Sequence, residues 1–129
     1  MTFQQKRGKA GETAAGDYLS RRGWTVLEQN WHCRYGEIDL IAQKDGILAF
    51  VEVKTRKAGS EYDALEAVTP AKQRKILQSA MTYLMKTGLE LQPRFDVAAV
   101  TAEQGDCFRI EYLENAFDGS AMDFDNTGI

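Results

Sequence analysis

The sequence predicts an α/β domain with a mixed sheet and the element order αβββαββ. Three observations predict it. Apolar residues recur at helical spacing in two stretches, one from Lys6 to Arg22 and one opening at Pro70. Between them lie three β-branched or aromatic runs separated by short polar turns, which read as a meander. Two further strand-like runs follow the second helix, so helices cover a sheet that gains a later strand pair.

Each element has a local reason. In the first helix Ala10, Ala14, Tyr18 and Leu19 make the apolar stripe, and Gly23 stands where a helix C-terminus favours glycine. Gly8, Gly11 and Gly16 weaken its propensity; such glycines either permit close backbone approach or are simply tolerated. Trp24 to Trp31 reads as the first strand, and about 36–43 and 47–55 as the second and third. Lys57 to Leu65 is rich in small and polar residues and reads as a loop. Thr69 caps the next helix, Pro70 takes its first position, and Gly88 ends it. Ile76, Leu77, Ala80, Tyr83 and Leu84 form its core stripe. Arg94 to Thr101 is the fourth strand and Cys107 to Leu113 the fifth, joined through Gln104-Gly105-Asp106. Periodicity fades from Glu114 on. Residues 1–117 therefore read as a single domain and 118–129 as an acidic, flexible tail.

The second and third strands carry acids in their middles, which buried strands rarely do, because an unpaired buried carboxylate is very costly. By period-two alternation Glu37, Asp39 and Ile41 share one face, with Ile38, Leu40 and Ala42 on the other. Phe50, Glu52 and Lys54 share a face of the next strand, and Asp45-Gly46 supplies the hairpin turn. Pairing Ile41 with Phe50 puts Asp39 opposite Glu52 and Glu37 opposite Lys54; a slip of one residue would scatter the acids to both sides of the sheet. One reading is a solvated face with a cross-strand ion pair. The other is a metal site. Ile41 and Phe50 imply that part of the face is covered, and facing like charges destabilise a sheet unless a cation or proton sits between them.

At 129 residues the chain is large enough for one domain with its own core. It has no apolar run long enough to cross a membrane and no apolar signal segment, so a cytoplasmic location is expected. Cys33 and Cys107 are too few and too far apart for a disulfide framework or a zinc site, and both read as reduced thiols. His32, the only histidine, has no nucleophile elbow beside it and reads as a polar residue of the loop entering the hairpin. Net charge is −3, unevenly spread. All 16 Lys and Arg lie within residues 1–110 alongside 14 Asp and Glu, while residues 111–129 hold five acids and no base. The body is mildly basic, a hint of an anionic ligand.

The residues now assembled resemble a known pattern. Asp39, then Glu52-Val53-Lys54 on the next strand, with Glu12 on the preceding helix, looks like the PD-(D/E)XK nuclease motif. The segments Gly11-Glu12…Ala15…Tyr18-Leu19, Gly36-Glu37-Ile38-Asp39-Leu40-Ile41-Ala42 and Phe50-Val51-Glu52-Val53-Lys54-Thr55-Arg56 are similar to the bacterial UPF0102 (YraN-like) family, which itself resembles archaeal Holliday-junction resolvases. The likeness covers about residues 8–100, including Arg94-Phe95-Asp96-Val97. The proline that names the motif is absent before Asp39, where Ile38 stands.

The resemblance implies a restriction-endonuclease-like fold and cleavage of DNA with Mg²⁺ or Mn²⁺. Carried over by position, Asp39 and Glu52 would be metal ligands, Lys54 would orient the attacking water, and Glu12 would be an accessory acid. The backbone carbonyl of Val53 could complete a three-oxygen set, enough for magnesium, which keeps several waters. Glu37 is an outer candidate beside them. For backbone phosphates the candidates are Lys6, Arg7 and Lys9, then Arg56 and Lys57, then Lys72, Arg74 and Lys75, with Arg56 foremost. The second reading is a nucleic-acid-binding module on a nuclease fold with weak or lost catalysis. A third is a metal-binding scaffold within a larger complex. A chain this small has little surface for substrate choice, so a homodimer or a protein partner is plausible.

Overall fold

The three central strands are buried over runs of five or six consecutive residues, so both faces of the sheet are covered, and two long helices supply the cover. The computed structural model describes residues 3–60, 63–105 and 107–119, with only the backbone for residues 3–5 and 7. In chain order the elements are α1 (Phe3–Arg21), β1 (Thr25–Cys33), β2 (Gly36–Lys44), β3 (Ile47–Lys57), α2 (Ala64–Ala67), α3 (Pro70–Thr87), β4 (Gln92–Ala102) and β5 (Phe108–Phe117). The strands form one five-stranded sheet in the order β1-β2-β3-β4-β5. Neighbours are antiparallel except β3 and β4, which are parallel. A parallel pair needs a crossover, and α2 with α3 supplies it. This is the mixed α/β architecture the sequence predicts, and it is consistent with a restriction-endonuclease-like fold.

The two faces of the sheet hold separate cores. Ala15 and Leu19 of α1 pack with Leu40, Ala42, Ala49, Val51, Ala98 and Val100. Ala80 and Tyr83 of α3 pack with Ile38, Ile41, Leu48 and Phe50. Beside the second core, Ala64 and Val68 close over Ile76, Val97 and Ala99. The ends of α3 are as read from the sequence: Thr69 accepts the backbone N–H of Lys72 at 3.3 Å, and Gly88 adopts a left-handed conformation at φ 68°.

Several expectations need correction. The expected loop from Lys57 to Leu65 ends in a one-turn helix, α2, capped by Asp63, which accepts the Leu65 N–H at 2.9 Å. A single turn is too short to show a period, and the order is therefore αβββααββ. His32 lies within β1, paired with Glu37, rather than in a loop. Cys33 is the last residue of β1, and Cys107 precedes β5. Ile38, expected on the face of Leu40 and Ala42, packs instead with Ile41 and Phe50. The pleat breaks between them. The β1–β2 register passes from Gln29–Leu40 to Trp31–Ile38, and Asn30 between these pairs has φ 51°.

β5 continues four residues past Leu113. Its register with β4 jumps from Val97–Leu113 to Phe95–Phe117, a bulge in which Asn115 has φ 52°. The bulge is held by Asp96, fully buried on β4. Its carboxylate receives Arg94 Nε and Nη2 at 2.9 Å each, the Tyr112 hydroxyl at 2.5 Å and the Asn115 N–H at 2.8 Å. Of the expected acidic tail, only Asp118 and Gly119 fall within the described residues. Among the described residues no helix is long and apolar enough to cross a membrane.

Candidate functional site

The candidate site lies where β2 and β3 stop pairing. Their register runs from Lys44–Ile47 through Ile41–Phe50 to Leu40–Val51 and ends, although both strands continue. Just past that point the Asp39 side chain reaches across: its Oδ2 accepts the backbone N–H of Val53 at 2.7 Å. Glu52 shares the α3 side of β3 with Phe50. Both acids are buried, at 7% and 6% exposure. They open on a cleft of about 360 Å³ that Glu12 enters from α1 and Lys72 from α3, with Lys54 also in its lining.

The helix that brings Glu12 sits close to the sheet because of its preceding residue. A Cβ at Gly11 would overlap the Thr55 hydroxyl and come within 3.2 Å of the Thr55 Cβ, so Gly11 is the glycine here that permits close approach. Gly8 has nothing within 4 Å of the same atom and is merely tolerated. Glu12 is then steered by a residue the sequence reading missed. Asn30 Nδ2 donates to Glu12 Oε2 at 3.3 Å, from the middle of β1, where Asn30 has φ 51°. The only signal for it was an asparagine within a strand-like run.

The electrostatics reflect crowded acid. Burial, then the charge of Glu52, push the Asp39 carboxyl up to about 8, against the lowering effect of the Val53 N–H. Burial and Glu37 raise Glu12 also. On the other side of the cleft two ammonium groups share one carboxylate oxygen. Lys72 Nζ lies 2.7 Å and Lys54 Nζ 3.4 Å from Glu52 Oε1. Burial lowers the Lys54 pKa, and the adjacent Lys72 adds to this. For Lys72 burial acts in the same downward sense, but contact with Glu52 outweighs it and the pKa is raised.

The other residues singled out from the sequence are dispersed. Lys54, expected opposite Glu37, pairs with Glu52. Glu37 lines the cleft from an exposed position, 3.4 Å from His32 Nδ1. Lys72, grouped with the phosphate contacts, sits inside the acid cluster. Arg56 donates through Nε to Thr101 Oγ1 at 3.3 Å and lines a different, larger cavity of about 670 Å³ with Asp63, Glu66 and Glu111. Size does not make that cavity the site, since the paired acids and lysines are gathered in the smaller cleft. Lys6, Lys9, Lys57 and Lys75 are exposed and Arg74 is half-buried. The Arg7 side chain lies outside the described residues.

A divalent ion can be tested against these donors. Among the described residues no group of three or more His, Cys, Asp or Glu side chains is arranged to hold a metal. That argues against a closed protein cage of the zinc or calcium type. Magnesium fits a different demand: one or two carboxylates, water and substrate phosphate, all hard oxygen. Asp39 and Glu52 meet that demand.

The comparisons with known proteins bear out the resemblance to the UPF0102 family. A UPF0102 protein of Desulforapulum autotrophicum is 44% identical over 115 residues, covering 88% of this chain and 94% of its own. One of Syntrophotalea carbinolica is 45% identical over 120 residues, covering 92% and 97%. One of Symbiobacterium thermophilum is 45% identical over 116 residues, covering 89% and 98%. The sequence model of the family described as "Uncharacterised protein family UPF0102" matches residues 11–100, and the chain belongs to that family.

Proposed function

We propose that this protein is a metal-dependent endonuclease that hydrolyses phosphodiester bonds of DNA, with branched DNA as a candidate substrate. The observation that carries this reading is the pair of buried acids, Asp39 and Glu52, facing two lysines in one cleft. Buried like charges are destabilising and persist where a ligand compensates them. In this reading Asp39, Glu52 and the Val53 carbonyl hold Mg²⁺ or Mn²⁺. When bound, the ion supplies charge neutralisation at the phosphate and acidifies a water.

The chain's own groups do the rest. The Val53 N–H fixes the Asp39 carboxylate, so little reorganisation precedes binding. Lys54, lining the cleft beside Glu52, is suited to orient the attacking water as a hydrogen-bond donor and point charge. Glu12 is positioned by Asn30 to hydrogen-bond water at the cleft wall. Lys9 and Lys57 are exposed and available to backbone phosphates, which would position a duplex without reading its sequence. The location this chemistry implies is the cytoplasm, where DNA is, and a homodimer or protein partner would supply the substrate-selecting surface this small chain lacks.

The second reading is a nucleic-acid-binding module whose catalysis is weak or lost. The two lysines already seated on Glu52 Oε1 favour it, since they compensate that buried carboxylate without a metal. One assay separates the two. Four-way junctions, flaps and linear duplex are incubated with Mg²⁺ or Mn²⁺ and either wild type or Asp39→Asn. Cleavage by wild type alone supports the enzyme; binding by both with cleavage by neither supports the module.

A further inference from the structure

Glu52 has a resident partner that the nuclease motif does not contain. Lys72, in the first turn of α3, approaches Glu52 Oε1 more closely than the motif lysine does, at 2.7 Å against 3.4 Å. The pair is asymmetric. The Glu52 side chain is 7% exposed and rises from a central strand, while the Lys72 side chain is 40% exposed. The carboxylate is therefore the fixed member and the lysine the movable one, a compact charge on a flexible four-carbon stem. Lys54 is 19% exposed on the same strand as Glu52 and has less freedom to leave.

A buried carboxylate needs a counter-charge at all times. Without metal, Lys72 provides most of it. A divalent cation claiming Glu52 competes with Lys72 for the same oxygen, and two cations close together repel. We propose that Lys72 is a displaceable counter-ion: it occupies Glu52 until a divalent cation does, and the released ammonium then holds a phosphate of the nucleic acid at the cleft mouth. This inference rests on the proposed metal site and adds an order of events to it. Metal affinity is held down in the free protein, because the carboxylate is vacant in only a fraction of molecules. Phosphate binding, by giving Lys72 another partner, raises that fraction, so the two ligands favour one another.

The test is Mn²⁺ titration calorimetry on the full-length protein, comparing wild type, Lys72→Ala and Lys9→Ala. Lys9 has the same charge and lies near Glu12 without an ion pair to Glu52. Duplex affinity at saturating Mn²⁺ is read in parallel by stopped-flow anisotropy. Removing Lys72 should tighten Mn²⁺ about fivefold, the effect of freeing a carboxylate from a partly exposed ion pair. It should also weaken duplex binding. These opposite signs are the signature: a misfolded variant would weaken both, and Lys72→Gln repeats the test should the alanine variant fold poorly. Unchanged Mn²⁺ affinity, or an equal gain in Lys9→Ala, overturns the proposal while Mn²⁺ binding by wild type leaves the metal site standing. Failure of all the proteins to take up Mn²⁺ overturns both.

Discussion

Asp39 accepts the backbone N–H of Val53 at 2.7 Å, just beyond the Leu40–Val51 pair that ends the β2–β3 register. A side chain thus satisfies a main-chain donor where the ladder stops. The arrangement fixes the carboxylate next to Glu52 and leaves it with a proton near neutral pH, since burial and Glu52 push it up to about 8.

A carboxyl whose pKa rises on folding is bound to its proton more tightly in the folded state. Stability then falls with rising pH between the ordinary value of 3.8 and about 8, where the folded form must carry the charge. Asp39→Asn keeps an acceptor for the Val53 N–H and removes the charge. In metal-free buffer the variant should be more stable than wild type by roughly 1–3 kcal/mol at pH 9, with the difference closing toward pH 4. Urea denaturation of both proteins across that range checks it; parallel curves would show that Asp39 carries no such penalty.

Metal binding should mirror that titration. A cation must displace the Asp39 proton, so the Mg²⁺-induced rise in Tm should be small at pH 6 and grow as pH approaches 8. Asp39→Asn should show little rise at any pH. A thermal shift of equal size in both proteins would remove Asp39 from the ligand set.

Lys54 separates catalysis from architecture. Its side chain is partly exposed and shares Glu52 with Lys72, so Lys54→Ala should cost at most about 1 kcal/mol of stability. Its effect on DNA cleavage should be far larger, on the order of 100-fold or more, with duplex binding largely kept. Activity falling only in step with stability would reduce Lys54 to an ion pair.

What the sequence revealed follows from how each feature is encoded. The Ile41–Phe50 register was legible because alternation and an Asp-Gly turn both specify it. The flip of Ile38 was not, because it is a local irregularity beside the positive φ of Asn30 on the neighbouring strand, and period-two alternation does not encode such a departure. The last residues of β5 were lost to the bulge at Asn115, which breaks the period that marks a strand. In the site, Asp39, Glu52 and Lys54 were visible as charges in apolar strands. The place of Lys72 was not, since only the packing of α3 brings residue 72 to residue 52.

The Arg94–Asp96 pair shows a charge that is structural. Asp96 is fully buried, and Arg94 supplies two of its four hydrogen-bond donor groups at 2.9 Å. Arg94→Met leaves the carboxylate with Tyr112 and Asn115 alone, and should cost about 3–5 kcal/mol. Adding Asp96→Leu to that variant should recover part of the loss, because the unpaired charge is gone. A double variant less stable than Arg94→Met would mean that the Asn115 bulge, rather than the charge, dominates.

Two glycines on α1 should respond oppositely to the same change. Alanine normally stabilises a helix interior by about 0.5–1 kcal/mol relative to glycine. Gly8 has open space where the methyl would go, so Gly8→Ala should show that gain. At Gly11 the methyl meets the Thr55 hydroxyl and lies 3.2 Å from its Cβ, so either Thr55 turns or α1 lifts from β3. Gly11→Ala should therefore destabilise by about 1–3 kcal/mol, the usual effect of overpacking. Lifting α1 also withdraws Glu12 from the cleft, so metal affinity should fall with stability. Thr55→Ala in the same chain removes the overlapping hydroxyl, and the double variant should recover much of both losses. Urea denaturation of the four proteins decides it: additive effects at positions 11 and 55 would mean that the two residues are not in contact and that the place of Glu12 does not depend on them.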